Sequence, residues 1–248
     1  MKIALANRKK KMPKIIAHRG YTKDYPENTL DAFKAALNAG TDAVELDVHA
    51  SKDGKLFVHH DYYLGDPDDG NGIITEQNSS YITSLHINNE HIPTLEQVFE
   101  LIGDSLQYEV ELKGYTIQFL KDVINTAKKY RLEDRIEFTS PHPFILTKLK
   151  TLNPALRTGY FVEPFPNWMD DNLGHTLAIA NGLLGSVDVL HCPISMVDKQ
   201  FIQEAHDNGL LVHAADCDTE NDIRLALKVG VDQLSTNDLV TALKLRSD

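Results

Sequence analysis

The sequence predicts an α/β fold, a closed (β/α)8 TIM-type barrel, with a small inserted subdomain and one antiparallel hairpin strand after the second barrel strand. Three observations predict it. Strand-like runs alternate with helical patterns along the chain, and those that alternate number eight, at 14–17, 43–48, 107–113, 136–140, 157–161, 187–191, 211–215 and 233–235. The length of 248 residues suits eight βα units, which occupy roughly 250 residues. No glycine-rich phosphate fingerprint follows the first strand, which counts against the rival doubly wound open sheet.

Taken in order, residues 1–13 form a basic tail with its charge at 8–11, and Met12 offers a second start besides Met1. The barrel domain is expected over 14–248. Its first strand runs directly into His18-Arg19-Gly20. Asn28 or Thr29 then caps a helix with Leu30, Phe33, Ala36 and Leu37 on one side, and Gly40 ends it. In the second strand, Glu45 and Asp47 point the same way, because side chains alternate along a strand. Lys52-Asp53-Gly54 supplies a turn, and 56–58 returns into His59-His60-Asp61. The connection is too short for a crossover, so the two runs form an antiparallel hairpin. Centring the turn on Asp53 and Gly54 sets His60 opposite Asp47. Residues 65–72 (GDPDDGNG) are exposed loop, and the weakly patterned stretch of about 62–92 reads as an inserted segment. Thr94-Leu95-Glu96-Gln97 is a capping box opening a helix that ends at Gly103. Later helical patterns lie at 117–130, 144–151, near 176–181, 199–208, 220–229 and 239–245, with a long loop at 163–172.

Composition narrows the function classes. A net charge of −11 excludes a duplex nucleic-acid binder, which presents a basic face to phosphates. No stretch approaches the roughly 18 apolar residues of a membrane span, so stable membrane insertion is not expected. Two cysteines, Cys192 and Cys217, are too few for a disulfide framework and read as packed free thiols, which suits a cytoplasmic protein. The pattern selects no oligomeric state.

The chemistry gathers at the C-terminal ends of the first three barrel strands, where such barrels place their active sites. These ends hold His18 and Arg19, then Glu45 and Asp47, then Glu109, Glu111 and Lys113. Charged side chains are rarely fully buried unless paired. Two carboxylates about 4 Å apart repel by roughly 4 kcal/mol at a protein's effective dielectric. A cation among them resolves this, and oxygen-only ligands select a hard ion, Mg²⁺ or Ca²⁺. Glu45, Asp47 and Glu111 are the expected ligands of one divalent metal ion. His142, His191 and His213 stand near later strand ends as candidate substrate contacts. His49, His59, His86, His91 and His206 are read as satisfied or solvated side chains.

HRG at 18–20, PENT at 26–29, ELDV at 45–48, KDG at 52–54, HD at 60–61 and VELK at 110–113 together resemble the glycerophosphodiester phosphodiesterase family. IPTLEQV at 92–98 and GVD at 230–232 extend the likeness over nearly the whole chain from Lys14. The resemblance implies a metal-dependent barrel enzyme, a phosphoric diester hydrolase releasing glycerol 3-phosphate and an alcohol from a small glycerophosphodiester. It implies His18 and His60 as the catalytic acid–base pair, Glu45, Asp47 and Glu111 as metal ligands, and Arg19 and Lys113 as holders of the substrate phosphate. It also implies that the inserted segment roofs the site. Three strand ends depart from the family pattern: AADCD at 214–218, QLSTN at 233–237 and Ser140-Pro141. They bear on the alcohol moiety. The competing readings are a lysophospholipase D or cyclising phospholipase on the same barrel, and a catalytically silent binding protein.

Overall fold

The computed structural model describes residues 12–65 and 69–247. Most of the basic tail, the Met1 start and part of the 65–72 loop lie outside the described residues. The chain opens with β1 (Lys14–Ala17), α1 (Leu30–Ala39), β2 (Ala43–Ala50) and β3 (Leu56–Val58). The insert follows as β4 (Tyr63–Leu64), β5 (Gly72–Ile73), α2 (Ser79–Ser84), β6 (His86–Ile87) and β7 (Glu90–His91). Then come α3 (Leu95–Ile102), β8 (Gln107–Leu112), α4 (Ile117–Tyr130), β9 (Ile136–Ser140), α5 (Pro143–Leu152) and β10 (Arg157–Phe161). The chain closes with α6 (Asp171–Leu184), β11 (Val189–Pro193), α7 (Lys199–Asp207), β12 (Leu211–Ala215), α8 (Glu220–Val229), β13 (Gln233–Thr236) and α9 (Leu239–Ser247). The main sheet is hydrogen-bonded in the order β1-β13-β12-β11-β10-β9-β8-β2-β3, and β1 also pairs with β2. That second pairing closes eight strands into a parallel barrel and leaves β3 outside, as the sequence predicts.

The chain divides into two compact units, Ala17–Phe138 and Thr139–Asp248 with the chain's start up to Ile16. In the first, Thr29 caps α1 by accepting from the Ala32 N–H, and Gly40 ends it in the left-handed conformation. The capping box of α3 is present with both reciprocal bonds, Thr94 to Gln97 and back. The insert carries its own small core, in which Leu64, Ile74, Ile82, Leu85, Ile87 and Ile92 pack with Phe57 of β3. Its α2 is bound to the hairpin tip: the Ser79 N–H and hydroxyl donate to the two Asp53 oxygens at 2.8 and 2.6 Å.

The hairpin register differs from the expected one by a residue. Val48 pairs with Val58, His49 with Phe57 and Ala50 with Leu56, so Asp47 faces His59, whose N–H donates to the Asp47 carbonyl at 3.0 Å. The cause is Gly54. It is not a central turn residue but sits after a turn closed by its N–H to the Ser51 carbonyl at 2.9 Å, with φ 88°. A turn followed by a left-handed glycine makes a three-residue loop with a bulge, which shifts the pairing by one.

In the second unit, β10 to β13 pair in parallel register. Helix α6 is longer than its weak pattern suggests, starting where Asp170 accepts from the Asn172 and Leu173 N–H groups. Its C-terminal wrap reaches Val187, whose N–H donates to the Gly182 carbonyl at 3.1 Å, with Ser186 at φ 53°. Residues 187–188 therefore belong to the helix exit, and the strand begins at Val189 rather than 187. His191 and His213 are buried and stacked on each other with ring centroids 4.1 Å apart. The His213 ring also bonds the Ser235 hydroxyl at 3.0 Å.

Candidate active site

All seven expected site residues fall within Ala17–Phe138. The strand pair β2 and β8 builds the floor. Its parallel register sets Glu45 beside Glu109 and Asp47 beside Glu111, so the two acid rows share one face by the twofold alternation of a strand. Oxygens of Glu45, Asp47 and Glu111 all lie within 4.8 Å of one another. Glu45 is 3% exposed and Asp47 0%.

The end of β1 delivers the next two residues. Arg19 takes a left-handed φ of 56° and Gly20 a φ of 92°, a tight turn in which the Gly20 N–H returns to the Ala17 carbonyl at 3.3 Å. That turn aims the Arg19 N–H at Glu45 Oε2, 2.9 Å away, and brings His18 Nε2 to 4.0 Å from the same oxygen. The Arg19 guanidinium is held by Glu27, which accepts from Nη1 at 2.9 and 3.1 Å, and its Nε lies 3.5 Å from Asp47 Oδ2. Lys113, one residue past β8, places Nζ 2.7 Å from Glu111 Oε1 and 3.2 Å from Asp47 Oδ1.

His60 lies beyond the end of β3, so the sheet register does not place it. Its Nδ1 is 2.8 Å from Asp61 Oδ1, and it is among the groups that hold the Asp47 carboxyl low. The three acids of the predicted patch are brought together, and His60 is carried by the loop after β3 rather than by the hairpin register.

The electrostatics show what the patch lacks. Burial, reinforced by Asp47 and Glu109, pushes the Glu45 carboxyl well above the ordinary range, and Arg19 offsets this only in part. Burial and then Asp47 push Glu111 up to about 7. Burial would raise Asp47 too, but Lys113, Arg19, His60 and the Asn28 amide outweigh it and hold that carboxyl low. Arg19 and Lys113 are raised despite their burial, first by Asp47 in each case. The two resident cations thus hold only Asp47 below its ordinary range, while Glu45 and Glu111 stay above theirs. Asp47 Oδ1 accepts no well-aligned hydrogen bond, its neighbour Lys113 being an ion-pair contact. An all-oxygen, anion-rich cluster with spare lone pairs fits a hard divalent cation.

Several site residues carry no role in the sequence reading. Asn28 is expected as an alternative helix cap. Instead it is buried at φ 58° and donates its amide to Asp47 Oδ2 at 2.9 Å, a conformation asparagine tolerates better than most residues. Glu27 and Asp61 hold Arg19 and the His60 ring. His49, read as a satisfied or solvated side chain, is 0% exposed on β2, with one ring nitrogen bonded to the His60 carbonyl and the other without a hydrogen-bond partner. The alternation that picks out 45 and 47 continues to 49 and would have found it.

A model of the glycerophosphoryl diester phosphodiesterase family matches residues 18–241. A glycerophosphodiester phosphodiesterase of Caldanaerobacter subterraneus is 30% identical, with 93% of this chain and 96% of that protein covered. One from Bacillus altitudinis is 28% identical, with 96% and 99% covered. Among solved structures, a putative glycerophosphoryl diester phosphodiesterase of Agrobacterium tumefaciens shares the fold at TM-score 0.88 and 24% identity, over 96% of this chain and 98% of that one. An Oleispira antarctica phosphodiesterase in complex with sn-glycerol-3-phosphate aligns at TM-score 0.82 and 26% identity, over 96% and 98%. With a match running unbroken from His18 into the last helix, the chain belongs to the glycerophosphoryl diester phosphodiesterase family.

Proposed function

We propose that this protein hydrolyses glycerophosphodiesters to glycerol 3-phosphate and an alcohol, with one divalent ion, Mg²⁺ or Ca²⁺, and a two-histidine acid–base pair. The observation that carries this reading is the cluster of Glu45, Asp47 and Glu111 oxygens within 4.8 Å of one another, with His18, Arg19 and Lys113 at its edge. Family membership supports it, as does the structural neighbour that holds sn-glycerol-3-phosphate.

Glu45, Asp47 and Glu111 would hold the ion, which when bound supplies Lewis-acid neutralisation of the phosphoryl oxygens. Arg19 and Lys113 add fixed positive charge for the same oxygens. Their neighbouring acids keep both protonated, so that charge is available without reorganisation. A phosphodiester repels nucleophiles and its alkoxide leaves poorly, so the chain must both remove and donate a proton. His18 takes the proton of the attacking hydroxyl as its oxygen bonds to phosphorus. His60 protonates the leaving oxygen as the phosphorus–alcohol bond breaks. Asp61 accepts from His60 Nδ1, which leaves Nε2 as the working nitrogen and fixes the ring's orientation. The attacking hydroxyl belongs to water or to the substrate's own glycerol, the second route passing through a cyclic phosphate.

The same reading takes 14–248 as one catalytic domain, a small diester as its partner, and a cytoplasmic setting consistent with two buried free thiols. No helix among the described residues is long and apolar enough to cross a membrane. The test incubates the protein with glycerophosphocholine and with lysophosphatidylcholine, with and without EDTA, and measures glycerol 3-phosphate and choline. Glycerol 3-phosphate from the first substrate alone, lost in EDTA and restored by Mg²⁺ or Ca²⁺, is expected. Choline from lysophosphatidylcholine alone would make it a lysophospholipase D, and no product from either overturns the reading. His18→Ala and His60→Ala should each lower kcat by about 10²-fold or more without unfolding the chain, and near-normal turnover in either would sink the mechanism.

A further inference from the structure

Strand β2 points a third side chain to the acid-bearing face, and the chemistry proposed above leaves it unused. His49 is 0% exposed, and its Nε2 lies 3.4 Å from the His60 main-chain carbonyl. A carbonyl only accepts, so Nε2 carries the proton and Nδ1 a lone pair. That Nδ1 is buried without a hydrogen-bond partner. A leucine would fill comparable space without this unsatisfied atom, so the imidazole costs the fold something that packing alone does not require. The same ring meets Tyr62 edge-on, with centroids 5.0 Å apart.

The segment that His49 touches is the one the sheet does not hold. Strand β3 ends at Val58, and the last main-chain bond back to β2 is from the His59 N–H to the Asp47 carbonyl at 3.0 Å. Beyond it, the His59 ring bonds the Asp61 carbonyl at 2.9 Å. The Tyr62 hydroxyl meets the Tyr115 hydroxyl at 2.9 Å. His60 itself stands between these pins. We propose that His49 is a positioning residue: its Nε2–H holds the His60 carbonyl, and its ring braces Tyr62, so that the His60 imidazole faces the carboxylate cluster. This rests on the reading of His60 as a catalytic residue.

His49→Leu and His49→Phe remove the donor while keeping bulk, and His49→Gln returns an N–H near the Nε2 position. Thermal melting of each variant confirms that it folds. With glycerophosphocholine, the two apolar variants should lose about 10- to 100-fold in kcat, the scale of a small misplacement of a reacting group, with KM within about twofold of the original. His49→Gln should recover most of the loss. A readout independent of turnover is the ring ¹H–¹³C spectrum at fixed pH, with the His60 signal assigned by its disappearance in His60→Ala. That signal should shift or broaden in the apolar variants and return in His49→Gln, while the His18 signal stays in place. Equal impairment of Gln, Leu and Phe variants would show bulk packing and overturn the proposal. So would an unmoved His60 signal in the apolar variants. If the parent protein cleaves no glycerophosphodiester, the functional reading fails by itself, and the spectrum still decides whether His49 positions His60.

Discussion

Replacing Gly20 with alanine strikes the site through the backbone alone. Gly20 has φ 92°, and a Cβ there would stand 2.8 Å from both the carbonyl carbon and the Cβ of Ala32, and 3.1 Å from its oxygen. Ala32 cannot give way cheaply. It lies in the first turn of α1, its N–H donates to the Thr29 cap at 3.3 Å, and its carbonyl accepts from the Tyr21 N–H at 2.9 Å. A left-handed conformation costs an L-residue about 1–2 kcal/mol, and forcing a methyl into filled space adds about 1–3 kcal/mol. Gly20→Ala should therefore destabilise by about 2–5 kcal/mol. Gly40 and Gly54 supply the control, since both have positive φ and neither has any atom within 4 Å of an added Cβ. Their alanine variants should lose only the backbone part, about 1–2 kcal/mol. Urea unfolding at constant m-value reads the three differences. A Gly20→Ala protein within about 0.5 kcal/mol of Gly40→Ala, less than the smallest overpacking cost, would refute the reasoning.

Other expectations follow from the charges and thiols. Glu111→Gln removes one proposed metal oxygen, and titration calorimetry should show Mg²⁺ or Ca²⁺ affinity falling by more than the roughly 10–100-fold typical of lost outer partners; unchanged affinity would remove Glu111 from the ligand set. In EDTA, the stability of the parent relative to Glu111→Gln, read as the difference in Tm, should fall as pH rises from about 4.5 to about 7. The buried Glu111 carboxyl is pushed up to about 7, so the folded state favours its protonated form and loses that preference as the group ionises. A saturating divalent ion should flatten this slope, and a parent that gains stability relative to Glu111→Gln across the window in EDTA would contradict the sign. Cys192 and Cys217 are both 0% exposed, and burial pushes the Cys217 thiol up to about 12. A disulfide reagent at pH 8 should find no fast thiol in the native protein and both after denaturation; fast native labelling would place a cysteine at the surface.

The sequence by itself determined what short-range physics controls. Strand periodicity put Glu45 and Asp47 on one face, and the N-cap at Thr94, the choice of Asn28 or Thr29 for the first helix and the stop at Gly40 read directly from side-chain and backbone preferences. Counting alternating runs sufficed for the barrel. The weak pattern of α6 hid its true ends, and the insert gave no sign of its own core, because its apolar residues meet only after the chain turns back on itself. Tertiary structure alone decided the remainder of the site. A left-handed Gly54 moved the hairpin register by one residue, so His60 owes its place to the loop beyond β3. Asn28 turned from a candidate cap into a partner of Asp47, and His49 was drawn under Tyr62. Caps and alternation depend on neighbours a few residues away. A register, a left-handed turn or the burial of one imidazole depends on what distant segments offer, and that exists only in the folded chain.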